Sequence, residues 1–350
     1  MKITFLIGNG FDLRLGLNTR YTDMYPGYFS KHASDMVIRD FKRVLQQAAP
    51  NGYKTWGDFE MSMAQHAVHF KSESELIACV RNFKEYMGSH LTKEENAFHE
   101  YSKERMGHVA CAKELEHSLR SFHKGQTPNV INAIEALGDI ELAHVKFITF
   151  NYTSILDQII YYHASYYKNT DIEKPIHVHG SLSTDVVLGI DNVGQFSKLP
   201  YILSRRGERA FVKPLFNSQF DLARVRSAEQ AIAESDVICV YGMSFGRSDN
   251  MWVQKVYDWL TADPNHHLIY FKYLNQQFSA WRRDEMMDEE DTHREELLNR
   301  FGGSERLEGI EDQVHIPIGY DIFDFRNAID RDAEDRRRRQ FSTPGSMRSY

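Results

Sequence analysis

The segment KITFLIGNGFD, residues 2–12, decides the fold class of this chain of 350 residues. Residues 2–8 form a short apolar run, rich in β-branched side chains and ending in glycine, which predicts a buried β-strand. Gly8-Asn9-Gly10 predicts a tight turn, and residues 11–17 predict the start of a helix. A strand, a glycine turn and a helix in this order are typical of an α/β domain.

The same alternation of strands and helices returns after residue 140. Further strands are predicted at residues 145–150, 176–179, 186–190, 236–241, 267–273 and 314–318. Helices are predicted between or after them, at residues 154–166, 218–234, 248–260, 275–301 and 320–338. Strands separated by helices predict an α/β fold with a Rossmann-like parallel sheet.

The stretch between the first strand and the second has a different, helical character. Phe59, Met63, His66 and Phe70 follow the spacing of one helix face, and further helices are predicted over residues 93–122 and 129–137. We therefore expect three parts. They are a core of residues 1–25 and 141–330, a large helical insertion or subdomain of residues 26–140, and a basic C-terminal tail of residues 331–350.

Composition limits the classes of function. Three cysteines without a CxxC spacing suit a reducing compartment and exclude a four-cysteine zinc ribbon. No secretory signal and no apolar run of about 18 residues is present, so we expect a soluble, cytoplasmic protein. A net charge of −7 argues against a general nucleic-acid binder, although Arg336–Arg339 form a dense basic run.

Polar residues and glycines stand at four predicted strand ends: Gly8 to Asp12, Asn151, His179-Gly180 and Gly242 to Ser244. The carboxyl ends of parallel strands meet at one edge of a sheet, so these residues predict one shared ligand site. Glycines let the backbone approach a phosphate, and a helix N-terminus donates N–H groups to it. The alternative for the first motif is a tight turn without a ligand.

The other motifs also have two interpretations each. Asn151 could bind ribose hydroxyls or cap the next helix. His177 and His179 face the same side of a strand and could bind a metal, but no carboxylate or cysteine stands at a matching spacing. His179 is better suited to act as a general base or polar ligand contact. Asp58 and Asp249 could lie near the site or cap helices.

The order of these motifs resembles the bacterial abortive-infection AbiH family, a branch of the sirtuin-like group. The resemblance covers residues 5 to about 250 and rests on Ile7 to Leu13, Gly16-Leu17, Trp56 to Glu60, Phe150 to Thr153, His179 to Ser181 and Gly242 to Asp249. It implies a sirtuin-like fold without the zinc ribbon, and Asn151, His179 and Asp12 as catalytic residues. It further implies nucleotide contacts by Gly8, Asn9, Gly10, Phe11, Gly16, Gly180, Gly242 and Ser244.

The chain departs from the sirtuin pattern in ways that bear on the reaction. Phe150 and Thr153 stand where sirtuins carry Gln and Asp, and the missing zinc ribbon argues against protein deacylation. The resemblance therefore implies cleavage of NAD by water in antiphage defence, giving nicotinamide and ADP-ribose without a metal. Asn151 or Asp12 would position the water, with His179 as base or ribose anchor.

Two other functions remain open from the sequence. One is a non-catalytic sensor that binds NAD or ADP-ribose and acts through a homo-oligomer or a partner defence protein. The other is an effector that acts on nucleic acid through the Arg336–Arg339 run.

Overall fold

The computed structural model describes residues 1–54, 56–168, 171–220, 222–272, 283–302, 309–318 and 320–342. Its centre is β1 (Lys2–Ile7), which pairs in parallel with β2 (His144–Thr149) on one side and β5 (Val237–Tyr241) on the other. Both faces of β1 are buried, which explains its nearly continuous apolar sequence.

The sheet is parallel throughout. Beyond β2 lie the two-residue strands β3 (Asp171–Ile172) and β4 (Ile176–His177), and beyond β5 lie β6 (His267–Phe271) and β7 (Val314–His315). The order is β3-β2-β1-β5-β6-β7, with β4 also paired to β2. The strands on one side of β1, which are β2 to β4, come first in the chain, and β5 to β7 on the other side come after them. The direction in which successive strands are added to the sheet therefore reverses between β1 and β5. Sheets of this kind bind ligands at that reversal, beyond the carboxyl ends of the strands.

Helices surround the sheet and form a group of their own. Between β1 and β2 lie α1 (Gly10–Arg14), α2 (Tyr21–Ser30), α3 (Met36–Gln47), α4 (Phe59–His66), α5 (Glu73–Glu104), α6 (His108–Ser121) and α7 (Pro128–Ala136). After β2 come α8 (Ile155–Tyr166), α9 (Arg205–Phe211), α10 (Lys213–Phe220), α11 (Leu222–Ala233), α12 (Asn250–Ala262), α13 (Arg283–Arg300) and α14 (Phe325–Ser342). Within the described ranges, no helix combines the length and the apolar character needed to cross a membrane.

Alternation along β1 divides the buried side chains between two layers. Phe5 and Ile7 belong to the apolar core on one face of the sheet, whereas Leu6 belongs to the core on the other face. A third core joins α2 to α5 with residues 188–190 and 211–212. This third core places α4 and the start of α10 beside the carboxyl ends of the strands.

One predicted strand is wrong. Residues 186–190 form only isolated bridges, Gly180 with Val186 and Ile190 with Val212. Leu188 and Ile190 are buried in the third core instead of in the sheet, which accounts for the apolar run that suggested a strand. Two predicted helices also differ. Residues 93–122 are divided between α5 and α6 at a turn that contains Met106 with φ of 49°. Of the helix predicted over residues 275–301, α13 covers 283–300, and 275–282 lie outside the described residues.

Candidate functional site

The turn after β1 packs directly against the turn after β5. The Gly8 N–H donates to Tyr241 O at 2.9 Å, and the Gly10 N–H donates to Gly242 O at 2.7 Å. A Cβ at Gly10 would lie 2.5 Å from Gly242 Cα, and Gly242 itself has a φ of +66°. These glycines are therefore required by a close contact between two backbones.

A cavity of about 480 Å³ opens at this contact. It receives residues from the ends of β1, β2 and β5, from the His179 segment, from α4 and from the first residue of α10. Among the residues predicted from the sequence, it is lined by Gly8, Asn9, Asp12, Asn151, His179, Gly242 and Ser244. Its volume is in the range of small-molecule sites.

Asp12, from the first turn of α1, is buried among hydroxyl and amide groups. Asn151 Nδ2 donates to Asp12 Oδ1 at 3.1 Å, and Thr153 Oγ1 donates to Asp12 Oδ2 at 2.8 Å. Burial raises the pKa of Asp12 to about 7, because the hydrogen bonds from Thr153 and Asn151 only partly offset the loss of solvation. Asn151 Oδ1 is buried and has no hydrogen-bond partner. The pair thus offers an unpartnered acceptor next to a carboxyl group that titrates near neutrality.

His179 also lines the cavity and is held by Asp249. His179 Nε2 is 2.9 Å from Asp249 Oδ1, whereas the buried Nδ1 has no partner. Burial and the nearby Lys213 lower the pKa of His179, although Asp249 acts in the other direction. Burial would raise the pKa of Asp249, but the charge of Lys213 and the hydrogen bonds from Lys213 and His179 hold it below its usual range. The ionised Asp249 accepts Nε2–H of a neutral ring, which leaves Nδ1 as an acceptor.

Lys213 connects this histidine to α4 through a buried ammonium group. Its Nζ donates to Asp249 Oδ1 at 2.8 Å, Ser248 O at 3.0 Å and Glu60 Oε2 at 3.1 Å. Burial alone would lower the pKa of Lys213, but Asp249 and Glu60 together raise it. Burial raises the pKa of Glu60 to about 7, against the charge of Lys213. Asp58 caps α4 by accepting Met61 N–H at 3.0 Å, and this helix carries Glu60 into the site.

Comparison with known protein families agrees with the arrangement of these motifs. A family model described as "Bacteriophage abortive infection AbiH" matches residues 4–271. The chain belongs to the AbiH family. The family suggests a role in abortive infection, a defence against bacteriophages. No curated protein matches the chain. The matched range contains most of β1, all of β2, β5 and β6, and every residue that lines the cavity.

Four of the residues predicted to contact nucleotide do not line the cavity of this AbiH protein. The Gly10 and Phe11 N–H groups donate to Gly242 O and Gly8 O, and the Phe11 ring lies in the core against Phe323 and Phe325. Gly16 has a φ of +86° and packs under Arg326. Gly180 has a φ of +75° and forms the turn after His179. Gly10 and Phe11 belong to the turn after β1, whereas Gly16 and Gly180 have positive φ in two other segments.

The side chains of Asn9 and His177 both form hydrogen bonds with other side chains of the protein. Asn9 Oδ1 accepts Thr19 Oγ1–H at 2.6 Å, which fixes the Asn9 amide at the cavity wall. His177 Nε2 is 2.7 Å from Asp157 Oδ2, whereas His179 uses Asp249. The two histidines therefore have separate carboxylate partners. In the part of the chain that the structure describes, no cluster of three side chains suited to a metal ion occurs.

Sequence reasoning missed Lys213 altogether. It lies 153 residues from Glu60 and 36 residues from Asp249, and no glycine or strand end marks it. The one indirect signal is that Glu60 and Asp249 are two carboxylates buried at the same site, which requires a cation nearby.

Proposed function

We propose that this AbiH protein is an effector of abortive infection that hydrolyses NAD to nicotinamide and ADP-ribose. In this proposal the protein binds NAD in a sirtuin-like way, in the cavity beyond the carboxyl ends of β1 and β5. One observation carries the proposal. Two buried atoms without partners, Asn151 Oδ1 and His179 Nδ1, belong to residues that line the same cavity as Asp12, whose pKa is about 7.

Acceptors without partners favour a ligand that is rich in hydroxyl groups. A buried acceptor without a donor destabilises the protein by roughly 1–3 kcal/mol, and a bound hydroxyl group removes that penalty. A ribose carries two vicinal hydroxyl groups, and the attacking water also has protons to donate. Asn151 and His179 would therefore hold the nicotinamide ribose between them.

The charges of the cavity suit a cationic transition state. Four carboxyl groups line it, from Asp12, Asp58, Glu60 and Asp249, together with two permanent cations, Arg20 and Lys213. Cleavage of the bond between ribose C1 and the nicotinamide nitrogen gives an oxocarbenium-like state, which nearby carboxylates stabilise. Arg20 is the exposed cation at the cavity and would contact the pyrophosphate.

The reaction balances without an added acid. The bonding electron pair leaves with the positively charged ring, so nicotinamide departs as a neutral molecule. Water attacks ribose C1, and its proton passes to the carboxylate of Asp12. A base with a pKa near the working pH is the most effective at this step.

A non-catalytic sensor is the second candidate, and one observation favours it. Both oxygens of Asp12 already accept hydrogen bonds, from Asn151 and Thr153, so a water must use their remaining lone pairs. A protein that only binds NAD or ADP-ribose would need no free base.

The test is incubation of the purified full chain with NAD, with nicotinamide and ADP-ribose resolved by chromatography. We expect Asn151→Ala and His179→Ala each to lower turnover by about 10²-fold or more. Asn129→Ala and His32→Ala are matched controls, since both residues are exposed and away from the cavity.

The outcomes separate the two candidates. Turnover that survives in both cavity variants would refute the proposal. Thermal stabilisation by ADP-ribose without turnover, lost in Asn151→Ala, would support the sensor. Neither turnover nor stabilisation would refute both candidates.

A further inference from the structure

A second cavity lies between α5 and α9, separate from the candidate functional site. Its volume is about 690 Å³, and it shares no lining residue with the first cavity. One wall consists of residues 184–186, which follow the His179 segment. Its floor is apolar and contains Val80, Ala210 and Phe216.

Four cationic side chains surround this floor. Arg81 and Lys84 come from α5, and Arg206 and Arg209 come from α9. Within the described part of the chain, no carboxylate forms an ion pair with any of the four. This concentration of positive charge is unusual for a protein with a net charge of −7.

The acidic side chains of the cavity do not balance these cations. Asp185 forms an ion pair with Arg224. The two terminal nitrogens of Arg224 lie 3.2 and 3.3 Å from the carboxylate oxygens of Asp185. Glu85 is exposed and also lines the cavity, where the four cationic side chains outnumber it. Like charges gathered in a concave surface raise the local potential and attract a counter-ion.

Lys84 lies beside an aromatic ring of the same cavity. Its Nζ lies 5.5 Å from the centre of the Phe216 ring, and burial lowers its pKa although Asp185 partly opposes this. An anion in the cavity would oppose this lowering of the pKa, because it would stabilise the ammonium group. The aromatic ring beneath the ammonium offers a flat apolar surface at the same place.

We propose that this cavity binds a small phosphorylated ligand with a planar ring, of the nucleoside diphosphate class. The phosphates contact Arg81, Arg206 and Arg209, since guanidinium groups bind phosphate oxygens with paired hydrogen bonds. The ring lies on the apolar floor beside Phe216. The volume is in the range of sites for such ligands.

The test is calorimetric titration of the full chain at low ionic strength with ADP, inorganic pyrophosphate and adenosine. We expect ADP to bind more tightly than pyrophosphate, and adenosine to bind weakly, because charge and ring both contribute. Arg206→Glu and Arg209→Glu should each weaken ADP binding by about ten- to a hundredfold, the equivalent of one charged hydrogen-bond pair.

Arg205→Glu is the matched control. It makes the same change of charge on the same helix, but Arg205 does not line the cavity. Asn151→Ala controls for binding at the candidate functional site. Circular dichroism of each variant reports whether it is folded, and all three arginines of α9 are exposed.

Four results would overturn the proposal. Equal weakening by Arg205→Glu and Arg209→Glu would show attraction to general surface charge. Loss of ADP binding in Asn151→Ala alone would place the ligand in the first cavity. Binding of a single-stranded oligonucleotide but not of ADP or pyrophosphate would indicate a nucleic-acid surface. No binding of any probe at millimolar concentration would refute a site of this class.

Discussion

Replacing Lys213 by Met tests whether a buried ion pair stabilises the candidate functional site. The side chain of Lys213 is 4% exposed, and its ammonium group contacts Asp249, Glu60 and Ser248 O. Methionine has a similar length and shape, so the main effect is the loss of charge rather than a cavity. The carboxylate of Asp249 then stays buried without its strongest partner.

The expected loss of stability is large. Removing one member of a buried ion pair destabilises a protein by about 3–5 kcal/mol. A chain of this length has an unfolding entropy of about 0.7 kcal/mol/K, so the melting temperature should fall by roughly 4–7 °C. The control is Lys255→Met, which breaks an ion pair with Glu229 of which both members are partly exposed. That pair should contribute at most about 1 kcal/mol.

The assay is scanning calorimetry of wild type and both variants near pH 8 and near pH 5.5. In Lys213→Met the pKa of Glu60 and the pKa of His179 should both rise, because Lys213 lowers each of them. At low pH, protonation removes the negative charge of Glu60 and gives His179 a positive charge, and both changes partly stabilise the buried carboxylate of Asp249. The loss of stability in Lys213→Met should therefore be smaller near pH 5.5. A melting temperature equal to that of Lys255→Met at both pH values would refute the buried ion pair.

Three further predictions concern the turn after β1 and its acid. Asp12→Asn should flatten the pH dependence of stability between about pH 4 and pH 7, measured by urea unfolding. The pKa of Asp12 is raised by folding, so the folded wild type loses stability as pH rises through that window. Thr153→Val removes a hydrogen bond that lowers the pKa of Asp12, so the acidic limb of the pH–activity profile should move to higher pH. An unshifted limb would exclude Asp12 as the base. Gly10→Ala places a Cβ 2.5 Å from Gly242 Cα and should lower the melting temperature by several degrees. Gly88→Ala meets no atom within 4 Å and should raise the unfolding free energy by about 0.5–1 kcal/mol. A tolerated Gly10→Ala would contradict the close contact of the two turns.

The strands that surround the site could be predicted because they are buried on both faces. Residues 2–7, 237–241 and 267–271 are mostly apolar runs followed by glycine or a polar residue, whereas Lys146 interrupts the run at 144–149. The position of the site follows from the same rule, since parallel strands bring their carboxyl ends together. Asp12, Asn151 and His179 accordingly line one cavity.

The failures have equally local causes. The run at residues 186–190 resembles a strand because five apolar or small residues carry no period that separates a strand from a core loop. The predicted nucleotide contact of Gly10 stays a prediction, and the structure adds a backbone contact with Gly242 that the sequence did not indicate. The sequence around Lys213 contains no motif that indicates its role. Its partner Glu60 is distant in the chain and comes close only when the third core packs.

Thr153 makes a contact that the sequence could not predict. It stands where the sirtuin pattern has an acid, and its hydroxyl group donates to Asp12 from the neighbouring strand end. A comparison with the sirtuin pattern registers only that position 153 carries a threonine instead of an acid. It could not show that another carboxylate lies 2.8 Å from the Thr153 hydroxyl.

The most direct test of NAD hydrolysis is the reaction of the purified chain with NAD in water enriched in ¹⁸O. The account predicts release of nicotinamide and an ADP-ribose that carries one ¹⁸O at ribose C1, with both products lost in Asp12→Asn. ADP-ribose without ¹⁸O beyond exchange controls, or nicotinamide release that persists in Asp12→Asn, would contradict attack by a water that Asp12 deprotonates.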